Sequence, residues 1–154
     1  MKIGIIIHSH TGNTLYVAEK IKDALITKGH EVQLERVTAE NEDTPSKEKV
    51  ILKSIPDILP YDALIIGAPV RAFSLSPVMK AYLVQVSKIQ GKRVDCFVTE
   101  HFEKPWMGGN HAVKLIIQAI KKKGGEVIEK GIINWSDNTR EEQINELVSR
   151  LSSI

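Results

Sequence analysis

The stretch Ser9-His10-Thr11-Gly12-Asn13-Thr14 separates an apolar run, Ile3 to Ile7, from a helical pattern that begins at about Leu15. A strand that turns sharply into a helix points the N–H groups of the first helical turn beyond the sheet edge. Together with the positive end of the helix dipole, those donors make an anion site. The hydroxyls of Ser9, Thr11 and Thr14, the His10 ring and the Asn13 amide crowd around Gly12. Glycine there permits close backbone approach or a positive φ. The stretch has no Gly-Lys-Ser/Thr, no second glycine at dinucleotide spacing, and no Lys or Arg between Lys2 and Lys20. Neither the triphosphate loop nor the pyrophosphate fingerprint is therefore present. A phosphate monoester held by hydroxyls and amides, without metal or lysine, fits these residues. Helix capping alone would account for one Ser or Thr, but not for this density of hydroxyls.

Working outward, strand one spans Lys2 to His8, and helix one runs from about Asn13 to Lys28 before Gly29 stops it. Glu31 to Val37 alternates as an edge strand with one wet face would. The segment from Thr38 to Pro60, broken by Pro45, Pro56 and Pro60, leaves room only for a short helix near Lys47 to Ser54. Ala63 to Gly67 is a continuous apolar run, expected to be buried on both faces. Val78, Met79, Tyr82, Leu83 and Val86 mark the next helix, and Arg93 to Thr99 the fourth strand. An irregular loop from Glu100 to Asn110 precedes a helix from about His111 to Lys123. Strand five covers Glu126 to about Asn134, and a last helix, Arg140 to Leu151, takes its cap from Asp137 or Thr139. Strand and helix alternate without a hairpin signal. The expected architecture is therefore α/β, a three-layer sandwich around a five-stranded parallel sheet of order 2-1-3-4-5.

At 154 residues the chain reads as one domain, 1–154, long enough to bury a core without staples. No apolar run approaches the ~18 residues of a membrane span, and the N-terminus runs straight into a strand. The single cysteine, Cys96, sits among Val94, Phe97 and Val98, which suits a core thiol and a reducing cytoplasm. A net charge of +2, with basic residues scattered apart from Lys121-Lys122-Lys123, argues against nucleic acid. Those lysines close a helix, where cations complement the dipole.

In such sheets ligands lie beyond the carboxyl ends of the strands where the winding reverses. The loops after strands one, three and four converge there, and they are the compositionally odd ones. The second runs Ala68-Pro69-Val70-Arg71-Ala72-Phe73-Ser74-Leu75-Ser76-Pro77, and the third carries Phe102, Trp106 and Gly108-Gly109. A phosphate site flanked by two apolar, aromatic loops describes a flat heterocycle on a phosphorylated tail. The phosphate loop resembles the flavin mononucleotide (FMN) loop of the flavodoxin family. Asp62 to Arg71 is similar to that family's third strand and first flavin-flanking loop. The run Pro69-Val-Arg-Ala-Phe73, followed by Ser76-Pro77-Val-Met79, resembles its NAD(P)H:quinone reductase branch.

The resemblance covers nearly the whole chain and implies FMN as cofactor. By that resemblance Ser9, His10, Thr11, Gly12, Asn13 and Thr14 bind the phosphate, and Pro69, Val70, Arg71, Ala72 and Phe73 flank the ring. Thr99, Glu100, His101 and Gly109 approach the pyrimidine edge and ribityl chain. No catalytic or metal-ligating residue is assigned. The function implied is electron transfer through bound flavin, either as a carrier docking on a redox partner protein or as an NAD(P)H-dependent oxidoreductase reducing a quinone. A homodimer is compatible with either. A site that has lost its flavin and serves protein contacts alone is a third reading. Two departures stand out: the chain lacks the insertion that builds tetramers in quinone reductases, and the third loop lacks a stacking tyrosine. Phe102 and Trp106 are both candidates to replace it.

Arg71 is the residue best suited to tune the flavin, since a cation beside the ring favours its reduced, more negative form. About 1.4 kcal/mol moves a one-electron potential by roughly 60 mV. Arg71→Ala is expected to lower the potential, read by redox titration; an unchanged value removes that role. His8, at a strand end, reads as a filler with one hydrogen bond. His101 and His111 have no third ligand at metal spacing, and the absence of Gly-x-Ser-x-Gly argues against hydrolase chemistry.

Overall fold

The apolar runs lie side by side in the computed structural model, which describes residues 1–42, 49–102 and 105–154. In chain order the elements are β1 (Lys2–Ile7), α1 (Asn13–Thr27), β2 (Glu31–Arg36), β3 (Thr38–Ala39) and β4 (Leu52–Ser54). They continue with β5 (Ala63–Arg71), β6 (Ser74–Leu75), α2 (Pro77–Gln85), β7 (Arg93–Glu100), α3 (Gly109–Lys122), β8 (Glu126–Asn134) and α4 (Arg140–Leu151). A short 3-10 turn, Pro105–Met107, precedes α3. The parallel sheet runs β2-β1-β5-β7-β8, which is the expected order 2-1-3-4-5 once the short strands are set aside.

Successive strand side chains point to opposite faces, and the isoleucines of β1 divide accordingly. Ile3, Ile5 and Ile7 pack with Val17, Ile21 and Leu25 of α1 and Ile144 and Leu147 of α4. Ile6, Leu64 and Ile66 pack with Met79 and Tyr82 of α2 and Ile116 and Ile120 of α3. Each buried isoleucine contributes about 1.5–3 kcal/mol relative to exposure, so the register Ile5↔Leu34 and Ile5↔Ile65 is fixed by both layers at once. Cys96 is buried in the second of these cores, and burial pushes its thiol up to about 12.

Three local expectations are corrected. The short helix expected near Lys47 to Ser54 begins outside the described residues, and Leu52–Ser54 is a strand, antiparallel to β3 with Thr38↔Ser54. The Asn41 side chain imitates a strand partner there: its Nδ2 donates to Lys49 O at 2.8 Å and its Oδ1 accepts the Ile51 N–H at 2.9 Å. Pro56 disfavours helix in the residues before it. Second, β5 continues past Gly67 and folds back on β6 as a hairpin, pairing Val70↔Leu75 and Arg71↔Ser74. Third, Thr139 occupies the N-cap of α4 without a side-chain cap bond. Asp137 Oδ1 instead accepts from the Thr139 N–H and hydroxyl, each at 2.9 Å.

Opposite Asp95 the pairing of β7 with β8 slips by one residue, between Val94↔Val127 and Cys96↔Lys130. Asp95 Oδ1 fills the gap by accepting the Glu129 N–H at 3.0 Å. Burial holds the Asp95 carboxyl above its ordinary range.

Candidate functional site

The loop after β1 is shaped by Gly12, whose φ of 96 lies where side chains are disfavoured, and nothing stands within 4 Å of a Cβ built on it. Ser9 Oγ reaches past it to accept the Leu15 N–H at 3.2 Å, the third amide of α1. Gly12, as N-cap, offers no side-chain acceptor to the amides of Asn13 and Thr14, which also have no intrahelical partner. Those donors face outward, as an anion requires. Thr14 is buried, and its hydroxyl bonds Thr99 at the end of β7 at 2.9 Å. It thus fastens two site loops together rather than facing the cavity. Arg36, at the end of β2, donates through Nη2 to Ser9 O at 3.3 Å. A cation therefore reaches a loop that has none of its own.

The second loop is the β5–β6 hairpin. Its two-residue turn puts both Ala72 (φ 50) and Phe73 (φ 61) in the left-handed region. Primed turns of this kind match the twist of paired strands but normally use Asn-Gly or Asp-Gly. Non-glycine residues there cost roughly 1–3 kcal/mol each and persist only when the surroundings over-determine them. The anchors are visible. Phe73 stacks on Phe102 of the third loop, with centroids 4.9 Å apart and planes 10° apart. A Cβ on Gly108 would come within 2.8 Å of Val70 Cγ1 and 3.0 Å of the Phe73 Cα, so only glycine lets the hairpin sit so close. The Ser76 N–H donates to Pro69 O at 3.1 Å and closes the hairpin base.

The third loop is set by Glu100, which is only 3% exposed. One carboxylate oxygen accepts Asn134 Nδ2 at 2.5 Å, and the Gly109 N–H at the start of α3 bonds the same carboxyl. The other oxygen, Oε2, has no partner among the described residues. Burial pushes this carboxyl up to about 7, against the pull of those donors. The Ser136 hydroxyl holds His101 through its carbonyl.

These loops enclose a cavity of about 310 Å³, inside the usual range for small-molecule sites. His10, Thr11 and Asn13 line one end; Pro69, Val70, Arg71 and Ala72 one wall; Thr99, Glu100, His101 and Phe102 the other. Of the residues expected from sequence, Ser9, Gly12, Thr14, Phe73 and Gly109 shape this cavity without lining it. Phe102 lines it, whereas Trp106 lies outside at 73% exposure. Sequence reasoning missed Arg36, Asn134 and the hairpin. Arg36 and Asn134 end strands whose proximity depends on sheet order, and the hairpin carries no Gly or Asn.

The cavity fits FMN in kind: amides beside a glycine for the phosphate, a wall of Pro69, Val70 and Ala72 for a flat ring, and opposite it the ring of Phe102 among the polar Thr99, Glu100 and His101. A model of the family described as NADPH-dependent FMN reductase matches residues 1–125. A search by sequence among curated proteins finds no significant match. Among solved structures, oxidised flavodoxin 1 from Bacillus cereus is similar with a TM-score of 0.70 at 19% identity, covering 99% of this chain and 95% of that one. Two-electron reduced flavodoxin from Megasphaera elsdenii also reaches 0.70, at 22% identity and 99% coverage of both chains. A flavodoxin from the domain Archaea reaches 0.64 at 18% identity, with 98% and 99% covered. At such identities these likenesses speak for the fold, and the family match speaks for the cofactor. With its flavodoxin-like sheet and its three-loop cavity, the chain belongs to the NADPH-dependent FMN reductase family of FMN-binding redox proteins.

Proposed function

We propose that this chain holds FMN with its phosphate on the loop from Ser9 to Thr14 and its ring between the β5–β6 hairpin and the loop after β7. In this reading it takes electrons from NAD(P)H and passes them to a quinone or to a redox partner protein. The observation that carries the reading is the continuity of one cavity from His10, Thr11 and Asn13 to the two walls. When bound, FMN supplies the redox chemistry, which the protein tunes and shields.

The chain's own residues do the rest. The amides of α1 and the nearby Arg36 favour a dianionic phosphate. Arg71 gives the rim a cationic character that suits an anionic dinucleotide donor, as does the family match. The sequence pI of about 8.6 speaks against docking through an acidic face. The buried, unreactive Cys96 fits work in a reducing cytoplasm, as one domain over residues 1–154. Among the described residues no helix is long and apolar enough to cross a membrane.

The test is twofold. FMN titrated with the purified protein should show saturable fluorescence quenching, and the loaded protein should oxidise NAD(P)H in steady state when a quinone is present. Reduction only through an added reductase would make the chain a carrier. Absence of saturable quenching would overturn the FMN reading.

A further inference from the structure

Beside the hairpin base runs a hydrogen-bond chain, buried at His8 and Ser76 and partly exposed at Glu42, that the cofactor reading does not use. His8, 1% exposed at the end of β1, has Nδ1 2.9 Å from Ser76 Oγ and Nε2 2.7 Å from Glu42 Oε1. Facing a carboxylate, Nε2 carries the proton, and Nδ1 is left as the acceptor of the Ser76 hydroxyl. Ser76 is fully buried, and its oxygen also accepts the Met79 N–H at 3.2 Å, capping α2. The Ser–His–Glu order resembles a hydrolytic triad. Its serine, however, is wholly enclosed and already occupied as a cap, so it cannot reach a substrate.

What this chain does touch is the base of the hairpin. Ser76 directly follows β6, and its N–H closes the hairpin on Pro69 O. Two turn residues in the left-handed region need such anchoring to persist. We propose that Ser76, His8 and Glu42 form a strut that holds the β5–β6 hairpin against the cavity. His8 is then a positioning residue for the flavin ring, and protonating it loosens the wall. This rests on the FMN reading above.

The mechanism is a conflict of donors. A second proton on His8 sits at Nδ1 and points at Ser76 Oγ, which already accepts from Met79. The serine's own proton then loses its acceptor in a buried place, which is unfavourable. The groups facing His8 are Glu42, whose carboxylate favours the charged ring, and Arg71 and His10, whose charges oppose it. Burial is the largest influence and keeps His8 below its ordinary value. The strut is thus intact at neutral pH and fails on acidification.

Riboflavin is the probe, because it lacks the phosphate whose own titration would overlap. Binding is read by fluorescence quenching from pH 8 to pH 5. Wild type should lose about tenfold in affinity as His8 charges, the value of one good hydrogen bond. His8→Gln should bind more weakly at pH 8 and lose the tenfold step due to His8, keeping only what Glu100 contributes as its carboxyl titrates at about 7, with circular dichroism verifying its fold. Glu42→Gln keeps an acceptor but removes the charge that favours protonation. It should match wild type at pH 8 and move the midpoint to lower pH. A His8→Gln profile that follows wild type, or an unmoved Glu42→Gln midpoint, overturns the strut while leaving FMN binding intact. A wild type that quenches neither FMN nor riboflavin at any pH overturns the FMN reading, and the strut's role with it.

Discussion

The loop after β1 turns on Gly12, at φ 96 with nothing within 4 Å of an added Cβ, whereas the hairpin after β5 turns on Ala72 and Phe73, at φ 50 and 61. Both border one cavity. The first is unstrained, local and open, and its donors belong to its own helix. The second is strained, and its restraints come from elsewhere: Phe102, Gly108 and Ser76. A binding site can therefore combine a part specified by six consecutive residues with a part specified only by the assembled fold. The difference should be measurable, because in the proposed binding mode one region faces the phosphate and the other the ring.

The sharpest break is Gly12→Val. A β-branched residue at positive φ forces the loop to refit, and FMN affinity should fall about 100-fold, roughly 2.7 kcal/mol. Riboflavin affinity should change little; equal losses for both flavins would erase the distinction between the regions. Gly108→Ala attacks the other region, because its methyl would meet Val70 and the Phe73 backbone. FMN and riboflavin affinity should then fall together, by about tenfold. Loss confined to FMN would show that the hairpin does not bear on the ring.

Glu100 tests the wall facing the hairpin. Its carboxyl is raised from 4.5 to about 7 by burial. The stability it contributes is full below 4.5 and is lost as pH rises through about 7. Glu100→Gln should therefore raise the thermal midpoint of the flavin-free protein at pH 8, by about 2–4 °C if the effect is near 1 kcal/mol. At pH 4 it should leave the midpoint unchanged. An equal shift at both pH values would trace the effect to packing instead. The smallest expected effect is Ala72→Gly, which relieves one strained turn residue and should stabilise by about 0.5–1 kcal/mol in urea unfolding. Destabilisation there would mean that the turn is not strained.

The same contrast explains what could be read from the sequence. The turn from β1 into α1 was legible because strand, turn and helix signals are contiguous, and the parallel sheet because its apolar runs repeat in order. The hairpin was hidden because Ala72-Phe73 breaks the turn chemistry that marks such a turn, and its supports lie at Phe102 and Gly108. His8 was expected to make one hydrogen bond and makes two, since neither Ser76 nor Glu42 is near it in sequence. The cradle read as uncharged has Arg36 beside it, placed there by pairing of Ile7 with Arg36 across β1 and β2. The mistaken helix near residue 50 came from ignoring what one asparagine, Asn41, can do to a passing backbone.

The slip in pairing opposite Asp95 has a consequence for behaviour at high concentration. Among the described residues β8 pairs with β7 alone, so its outer rim is an open template on which a sister chain could polymerise. The dislocation twists that rim partway along, and the charged Glu126, Glu129 and Lys130 stud it. A neighbouring molecule that tried to extend the sheet would meet a broken ladder there, with the exposed Ile128 set between charged neighbours.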